Sequence, residues 1–168
     1  GVVKATDMLI SAEKPVIVVG QGVRYGGAAA ELLQLAERLK IPVAASASGL
    51  GALPVEHSLS LGLVQRGGTY QANHACRQAD VLLAIGVRFD DRTSSSWIPG
   101  YSFTIPPTKL IHVDIDPEEI GRNYPVALGL MADVRTFLRQ ILAELDRRGH
   151  DELPAEARVK WLKQINDY

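Results

Sequence analysis

The sequence predicts an α/β fold: a doubly wound, mainly parallel sheet of five or six strands with helices on both faces. Two observations lead to this prediction. Segments with strand character alternate with segments of helical periodicity, as they do in chains that build parallel sheets. The strand candidates, such as VLLAI at Val81–Ile85, are continuous apolar runs, which is typical of strands that helices cover on both faces.

The first half of the chain alternates helix, strand, helix and strand. The predicted elements are a helix at Val2–Ser11, a strand at Pro15–Val19, a helix at 28–39 and a strand at 41–46. Apolar residues recur at helical spacing in both helices, and both strands are short, mainly apolar runs. Residues 47–62 are predicted to form a long loop, because glycine or proline interrupts them four times.

The second half continues the alternation. The predicted elements are a helix at 69–78, a strand at Val81–Ile85, a strand at 109–116, one helical turn at 117–123, a strand at 126–133 and a helix at Val134–Arg147. Residues 90–107 are predicted to be irregular because they contain several prolines. Pro117 suits the first position of a helical turn. The charged tail at 151–168 is predicted to be a linker with a short helix at 155–166.

Composition and charge exclude several classes of protein. The chain has 168 residues, of which 46% are hydrophobic and 22% charged, and its net charge is -1. Such a balance gives no overall field that favours nucleic acid or an anionic membrane. The longest apolar runs are far short of the roughly 20 residues that span a bilayer. Cys76 is the only cysteine, so no internal disulfide or cysteine metal cluster is expected, and a cytoplasmic setting is predicted.

Every predicted strand is followed by small, hydroxyl-bearing or charged residues. The segments are Gly20-Gln21-Gly22, Ser46-Ala47-Ser48-Gly49, Gly86-Val87-Arg88-Phe89-Asp90, Asp114-Ile115-Asp116 and Asp133-Val134. In open α/β sheets, ligands bind in the crevice outside the carboxyl ends of the strands. The motif GVRFDDR at 86–92, with four charges directly after a buried strand, is therefore predicted to form the rim of a binding crevice.

The residue types suit a nucleotide-like ligand. The amides of Gly20 and Gly22 are expected to approach a diphosphate, and Arg88 can pair with phosphate through two parallel hydrogen bonds. The carboxylates of Asp114 and Asp133 can accept hydrogen bonds from ribose hydroxyls or an adenine amino group. A dehydrogenase is disfavoured, because the third glycine of G-x-G-x-x-G arrives late and no acidic residue ends the second strand.

Each of these features also has a purely structural interpretation. Gly20-Gln21-Gly22 can be a tight turn, and Asp114, Asp116 and Asp133 can be helix caps. Arg88 and Asp90 can form a surface ion pair worth about 0–1 kcal/mol. The four histidines are scattered in sequence and no catalytic motif is recognisable, so no metal ligand and no catalytic residue is predicted. Cys76 is predicted to be a small core residue.

Several motifs, taken in order, resemble the central domain of thiamine-diphosphate-dependent enzymes. In chain order they are KPVIVVGQG, IPVAASASGLGALPVEHSLSLG, QADVLLAIGVRFDDR, which ends in GVRFDDR, and IHVDIDPEEIGRN. The acetolactate (acetohydroxyacid) synthase large subunit is the member they resemble most. The pattern G-x-x-P-x-x-H with a later glycine, which recurs through that family, is present as Gly51, Pro54, His57 and Gly62. The resemblance covers roughly residues 4–147, so residues 1–150 are expected to be the central domain.

The resemblance implies a larger parent enzyme of three domains. The first domain would bind the aminopyrimidine half of thiamine diphosphate and supply the activating glutamate. The third would bind the diphosphate and Mg²⁺ through a G-D-G…N motif, which this sequence lacks. The chain, which begins with Gly1, is therefore expected to be an excised piece that is not catalytic alone. Its partners would be the other two domains, in a homodimer or homotetramer.

The resemblance also implies a nucleotide site in this domain, occupied by FAD in acetolactate synthases. The implied contact residues are Gly20, Gln21, Gly22, Ser46, Ala47, Gly86, Val87, Arg88, Phe89, Asp90, Asp114, Ile115, Asp133 and Val134. Asp91 and Arg92 would lie nearer the active-site channel. Typical synthases have G-M-H-G-T where this chain has QRGGT at 65–69, so the histidine is missing.

Two alternatives to a FAD-containing synthase domain stay open. One is the central domain of another thiamine-diphosphate enzyme, such as a decarboxylase or a dione hydrolase, with ADP or no nucleotide. The other is a stand-alone nucleotide-binding module of the electron-transfer flavoprotein kind.

Overall fold

The computed structural model describes residues 1–149 and 156–167, and six strands in these ranges form one sheet with every neighbouring pair parallel. The strands are β1 (Pro15–Val19), β2 (Val43–Ala45), β3 (Ser60–Leu63), β4 (Val81–Ile85), β5 (Lys109–Asp114) and β6 (Leu128–Met131). The helices are α1 (Val2–Ser11), α2 (Gln21–Tyr25), α3 (Ala29–Leu39), α4 (Tyr70–Gln78), α5 (Val134–Arg147) and α6 (Glu156–Asn166). The predicted α/β class is confirmed.

The strand order is β3-β2-β1-β4-β5-β6, which is the doubly wound order of dinucleotide-binding folds. The chain builds outward from β1 in one direction and then crosses over to build outward from β4 in the other. The two central strands are buried at every position and pair in register from Pro15 with Val81 to Val19 with Ile85. The chain therefore leaves these two strands in opposite directions, and the winding of the sheet reverses between them.

The apolar side chains of the sheet divide between two cores. Ile17 and Val19 face α1, α3 and α5, where Leu9, Leu35 and Phe137 are among the buried partners. The alternate strand residues, with Cys76 of α4 and Trp161 of α6, form the second core. Alternation along each strand explains this division, because successive side chains point to opposite faces. Both faces are covered, as the continuous apolar runs predict.

Four element predictions need correction. Residues 47–62 are not entirely loop, because β3 begins at Ser60 and adds an edge strand beside β2. The short helix α2 follows β1 directly. Residues 117–123 form hydrogen-bonded turns rather than a regular helical turn. The strands β2, β5 and β6 are shorter than predicted.

The irregular segment after β4 has a buried polar base, and we call residues 90–103 the serine loop. Ser95 and its two successors adopt left-handed backbone angles, with φ between 53° and 57°, which residues other than glycine seldom adopt. A buried chain of hydrogen bonds holds this turn: Ser95 Oγ lies 2.7 Å from Ser102 Oγ, which donates to Asn73 Oδ1 at 2.5 Å. Trp97 Nε1 donates to the carbonyl oxygen of Phe89 at 2.9 Å. These bonds fix the loop against α4.

The C-terminal helix α6 packs on the body of the domain through a buried arginine. Arg158 is only 3% exposed, and its guanidinium donates to the carbonyl oxygens of Leu9, Ile10, Ala12 and Leu39. Those carbonyls lie at the ends of α1 and α3, where helix dipoles place partial negative charge. Trp161 is buried beside it. Residues 150–155, and with them the predicted helix start at residue 155, lie outside the described residues.

Candidate functional site

A cleft of about 700 Å³ lies at the carboxyl edge of the sheet, above the switch point between β1 and β4. Eleven of the fourteen predicted site residues line it. They are Gln21, Gly22, Ser46, Gly86, Val87, Arg88, Asp90, Asp114, Ile115, Asp133 and Val134. The cleft therefore collects residues that follow five different strands, as expected for the crevice of a doubly wound sheet.

Glycines let the backbones after β1 and β4 approach each other at the floor of the cleft. A Cβ on Gly20 would lie 2.2 Å from the carbonyl oxygen of Gly86, and one on Gly22 would lie 2.8 Å from the Gly86 Cα. Gly86 itself has φ of +54°, a conformation that glycine adopts without steric cost. Any side chain at these positions would push the two central strands apart.

The expected role of the Gly20 and Gly22 amides is wrong. Gly20 N donates to the carbonyl oxygen of Ile85 at 3.1 Å, and Gly22 N donates to that of Gly86 at 3.0 Å. Both donors are therefore used within the protein rather than offered to a diphosphate. The close approach of the two strands explains this, because it brings each amide within reach of a neighbouring carbonyl.

Arg88, within the motif GVRFDDR, is a positively charged residue that lines the cleft. Its side chain is 70% exposed, and its Nε lies 3.7 Å from Oε1 of the buried Glu119. Glu119 also accepts from Arg122 Nη1 at 2.9 Å. The alternative Arg88–Asp90 pair is wrong, because Asp90 Oδ1 instead accepts from the amide of Thr93. Glu119 thus holds the Nε edge of the Arg88 guanidinium loosely, and Arg88 lines the cleft.

The next residue, Phe89, supports the rim from beneath instead of lining the cleft. Its ring is buried and makes edge-to-face contacts with Phe103, His112 and Tyr124. Its carbonyl oxygen accepts from Trp97 and from Asn123 Nδ2. This clustering of aromatic rings gives the rim a rigid base.

His112 fixes the adjacent backbone. Its Nε2 donates to the carbonyl oxygen of Val87 at 3.0 Å, and its Nδ1 accepts from the amide of Gly121. Burial lowers the pKa of the imidazole below its ordinary value, because the charged form is poorly solvated there. A neutral ring with its proton on Nε2 satisfies both bonds.

Two carboxylates lie at the β5 and β6 side of the cleft, and both have local backbone partners. Asp114 Oδ1 accepts from the amide of Asp116 at 2.9 Å. Asp133 is the N-cap of α5, where Oδ1 accepts from the amide of Thr136 at 2.8 Å. That backbone hydrogen bond lowers the pKa of the Asp133 carboxyl. The cap interpretation holds for Asp133, and both side chains still line the cleft.

Four lining residues were not among the fourteen predicted site residues, although Ser48 lies in one of the strand-end segments identified from the sequence: Tyr25, Gly26, Ser48 and Thr93. Tyr25 lies one turn beyond Gln21 on α2, a helix that the glycines concealed, and Gly26 is the C-cap of that helix. Thr93 is brought in by the hydrogen bond that its amide donates to Asp90 Oδ1. Aspartate favours turns that its side chain closes on the local backbone, and sequence reasoning could have used Asp90 in this way.

Three predicted site residues do not line the cleft. They are Gly20, Ala47 and Phe89. Gly20 lies beneath the floor, and Ala47 belongs to a short 3₁₀ turn after β2.

Other kinds of site are not seen in the described part of the chain. Within residues 1–149 and 156–167, no group of three or more His, Cys, Asp or Glu side chains is placed to hold a metal ion. None of the helices in the same ranges has the length and apolar character needed to cross a bilayer. Cys76 is fully buried, and burial strongly raises its thiol pKa, so it is a core residue as predicted.

Comparison with known proteins gives consistent matches. Residues 2–141 match the family model described as "Thiamine pyrophosphate enzyme, central domain". The chain is 41% identical over 162 residues to a probable acetolactate synthase large subunit of Methanocaldococcus jannaschii, a match that covers 96% of this chain and 26% of that protein. It is 37% identical over 166 residues to the acetolactate synthase large subunit of Haemophilus influenzae, covering 98% of this chain and 28% of that protein.

A third relative is the acetolactate synthase isozyme 3 large subunit of Escherichia coli, 36% identical over 165 residues, with 98% of this chain and 28% of that protein covered. The chain thus spans about a quarter of the length of the curated relatives it matches.

Proposed function

Because this chain belongs to the thiamine pyrophosphate enzyme family, as a central domain, we propose that it is the nucleotide-binding domain of an acetolactate-synthase-like enzyme. The observation that carries the proposal is the cleft above the switch point of β1 and β4. Open α/β sheets bind their ligands at this point. The relatives' names support the proposed reaction, and the position of the cleft supports the proposed nucleotide site.

In the parent enzyme, other domains would hold thiamine diphosphate and Mg²⁺, and the reaction would be decarboxylation of a 2-keto acid followed by carboligation. The parent would be a cytoplasmic homodimer or homotetramer. This domain would contribute a scaffold and a nucleotide site and no catalytic residue. We therefore expect the 168-residue chain not to bind thiamine diphosphate. Calorimetric titration with Mg²⁺ present tests this, and micromolar binding would contradict it.

The proposed ligand of the cleft is an adenine nucleotide, either FAD or ADP. A volume of about 700 Å³ lies within the range of roughly 300–1,000 Å³ that is usual for ligand pockets. The lining runs from Ser48 after β2 to Asp133 before α5, four strand intervals, or about 19 Å at about 4.8 Å each. An elongated ligand fits this outline. The two carboxylates at the β5 and β6 side suit ribose hydroxyls, and Arg88 suits the phosphates.

The test compares two arginines that share one partner. Arg88 and Arg122 both pair with Glu119, but only Arg88 lines the cleft. Loss of a charge-assisted hydrogen bond costs roughly 1.5–3 kcal/mol, which is about tenfold or more in affinity. Titration with ADP and with FAD should therefore show at least that loss in Arg88→Ala. Arg122→Ala should bind like the wild type.

Two outcomes would contradict the proposal. One is a wild-type chain that binds neither nucleotide, which would leave the cleft without a ligand of this class. The other is equal affinity in Arg88→Ala and Arg122→Ala, which would show that the rim arginine is a surface ion pair like its neighbour. The fold of both variants should survive, since both arginines are largely exposed and the buried Glu119 keeps one of its two arginine partners in each variant.

A further inference from the structure

A smaller depression of about 290 Å³ opens from the cleft on its β1 and β2 side. It is lined by Gln21, Arg24, Tyr25 and Ser48, of which all but Arg24 also line the main cleft. The depression is therefore an extension of the cleft and not a separate site. It lies at the opposite end from Asp114 and Asp133, which follow β5 and β6.

The charge of the depression differs from that of the other end. Its four lining residues include no carboxylate, and Arg24 is exposed on the last turn of α2. In the described ranges, 1–149 and 156–167, no carboxylate lies within ion-pair distance of Arg24. The remaining lining groups are an amide, a phenol and a hydroxyl, all of which can donate hydrogen bonds. A guanidinium among neutral donors favours an anion such as a carboxylate or a phosphate.

Seven of the chain's other arginines contrast with Arg24. Each has its guanidinium paired with a carboxylate. Arg158 is held by carbonyl oxygens, Arg66 by Ser96 and Arg77 by backbone oxygens of the serine loop. Arg92 resembles Arg24 in being exposed with no side-chain partner among the described residues, but it does not line the depression. Arg24 is thus a cation beside the cleft without a protein partner among the described residues, and a ligand would supply one.

From these observations we infer that the depression is the subsite for the terminal phosphate of a nucleoside diphosphate. This inference rests on the proposed function, because it requires an adenine nucleotide in the cleft. The adenosine would lie on the β5 and β6 side, and the diphosphate would cross the switch point past Arg88. The terminal phosphate would then reach Arg24, Gln21 and Ser48. Of the two nucleotides proposed, the subsite favours ADP, because the outer phosphate of ADP is a terminal group with up to two negative charges, whereas in FAD that phosphate is a diester with a single charge and carries the ribityl chain.

The experiment titrates the 168-residue chain with ADP, AMP and inorganic phosphate. The variants are Arg24→Ala and, as a matched control, Lys109→Ala. Lys109 begins β5 at the amino edge of the sheet, so its loss changes the net charge equally but far from the cleft. Arg24→Ala should weaken ADP binding about tenfold or more and leave AMP binding unchanged. Lys109→Ala should leave both unchanged. Melting curves of both variants should match the wild type, since both side chains are exposed.

The outcomes separate the subsite from the proposed function. If the wild type binds ADP and Arg24→Ala binds it equally well, the subsite is overturned while the nucleotide cleft stands. If Arg24→Ala weakens AMP and ADP by the same factor, the arginine does not contact the terminal phosphate, and the inference also fails. If inorganic phosphate alone binds as tightly as ADP in an Arg24-dependent way, the depression is an independent anion site, which overturns the subsite as well. If the wild type binds no adenine nucleotide, both proposals fail.

Discussion

Replacing Gly20 with alanine should destabilise the protein more than the addition of a single methyl group suggests. The new Cβ would lie 2.2 Å from the carbonyl oxygen of Gly86 and 2.5 Å from the Cα of Val87, whereas carbon contacts are optimal at about 3.5–4.0 Å. Both obstacles are backbone atoms that follow the central strand β4, so neither can rotate away. Overpacking of this kind costs about 1–3 kcal/mol, and we expect the upper end.

A loss of about 3 kcal/mol should lower the Tm by about 6–12 °C, at about 2–4 °C per kcal/mol for a chain of this size. Thermal denaturation followed by circular dichroism measures this. Two glycines serve as controls. A Cβ added at Gly67 would meet nothing within 4 Å and φ there is not positive, whereas Gly27 has equally open space but φ of +60°.

The controls separate steric clash from backbone strain. Gly67→Ala should not destabilise the protein. Gly27→Ala should cost only the strain of a left-handed residue, about 1–2 kcal/mol. Gly20→Ala should cost more than either. A Gly20→Ala variant with the same Tm as Gly67→Ala would refute the reasoning, because it would show that the two central strands can separate at the floor of the cleft without loss of stability.

Three further predictions concern single side chains. His112 donates to the carbonyl oxygen of Val87, and burial lowers its pKa below 6.5. The contribution of the neutral ring to stability is therefore complete above pH 6.5 and is lost as the pH falls. Between pH 7 and pH 5, the urea midpoint should drop less in His112→Gln than in the wild type. Asp133→Ala removes the cap of α5 and should cost about 0.5–2 kcal/mol at pH 7. Because the hydrogen bond from Thr136 lowers the carboxyl pKa below 3.8, this difference in the free energy of unfolding should shrink as the pH falls below 3.8. Arg158→Ala should release α6, seen as faster proteolysis after residue 149 than in the wild type.

The central strands could be predicted from sequence because their physical requirement is simple. Val81–Ile85 is covered on both faces, so every residue is apolar and the run is unmistakable. The edge strand at Ser60–Leu63 is only partly buried and contains a glycine, so its sequence pattern cannot be distinguished from that of a loop. The helix α2 begins in the glycines that the chain needs for close strand approach, and glycine is a poor helix former.

The position of the cleft was predictable, but the state of its hydrogen bonds was not. Strand ends predict where a ligand lies, because the topology brings them together. Whether the amides of Gly20 and Gly22 are free depends on carbonyls that approach from β4, far later in the chain, and local sequence cannot report that distance. The same applies to Arg88, whose partner Glu119 belongs to a turn that was predicted as a helix.

Three hydrogen-bonded side chains at the base of the serine loop restrict which substitutions the protein can accept at their positions. Asn73, Ser95 and Ser102 satisfy one another in a buried site. Replacing one of them leaves its buried partners without a hydrogen bond, which lowers the free energy of unfolding by about 1–3 kcal/mol. Replacing all three together by apolar groups of matching shape can be nearly neutral. A series of substitutions that changes these residues one at a time therefore passes through proteins of lower stability. Among descendants of a common ancestor, these three positions should change together or stay as they are.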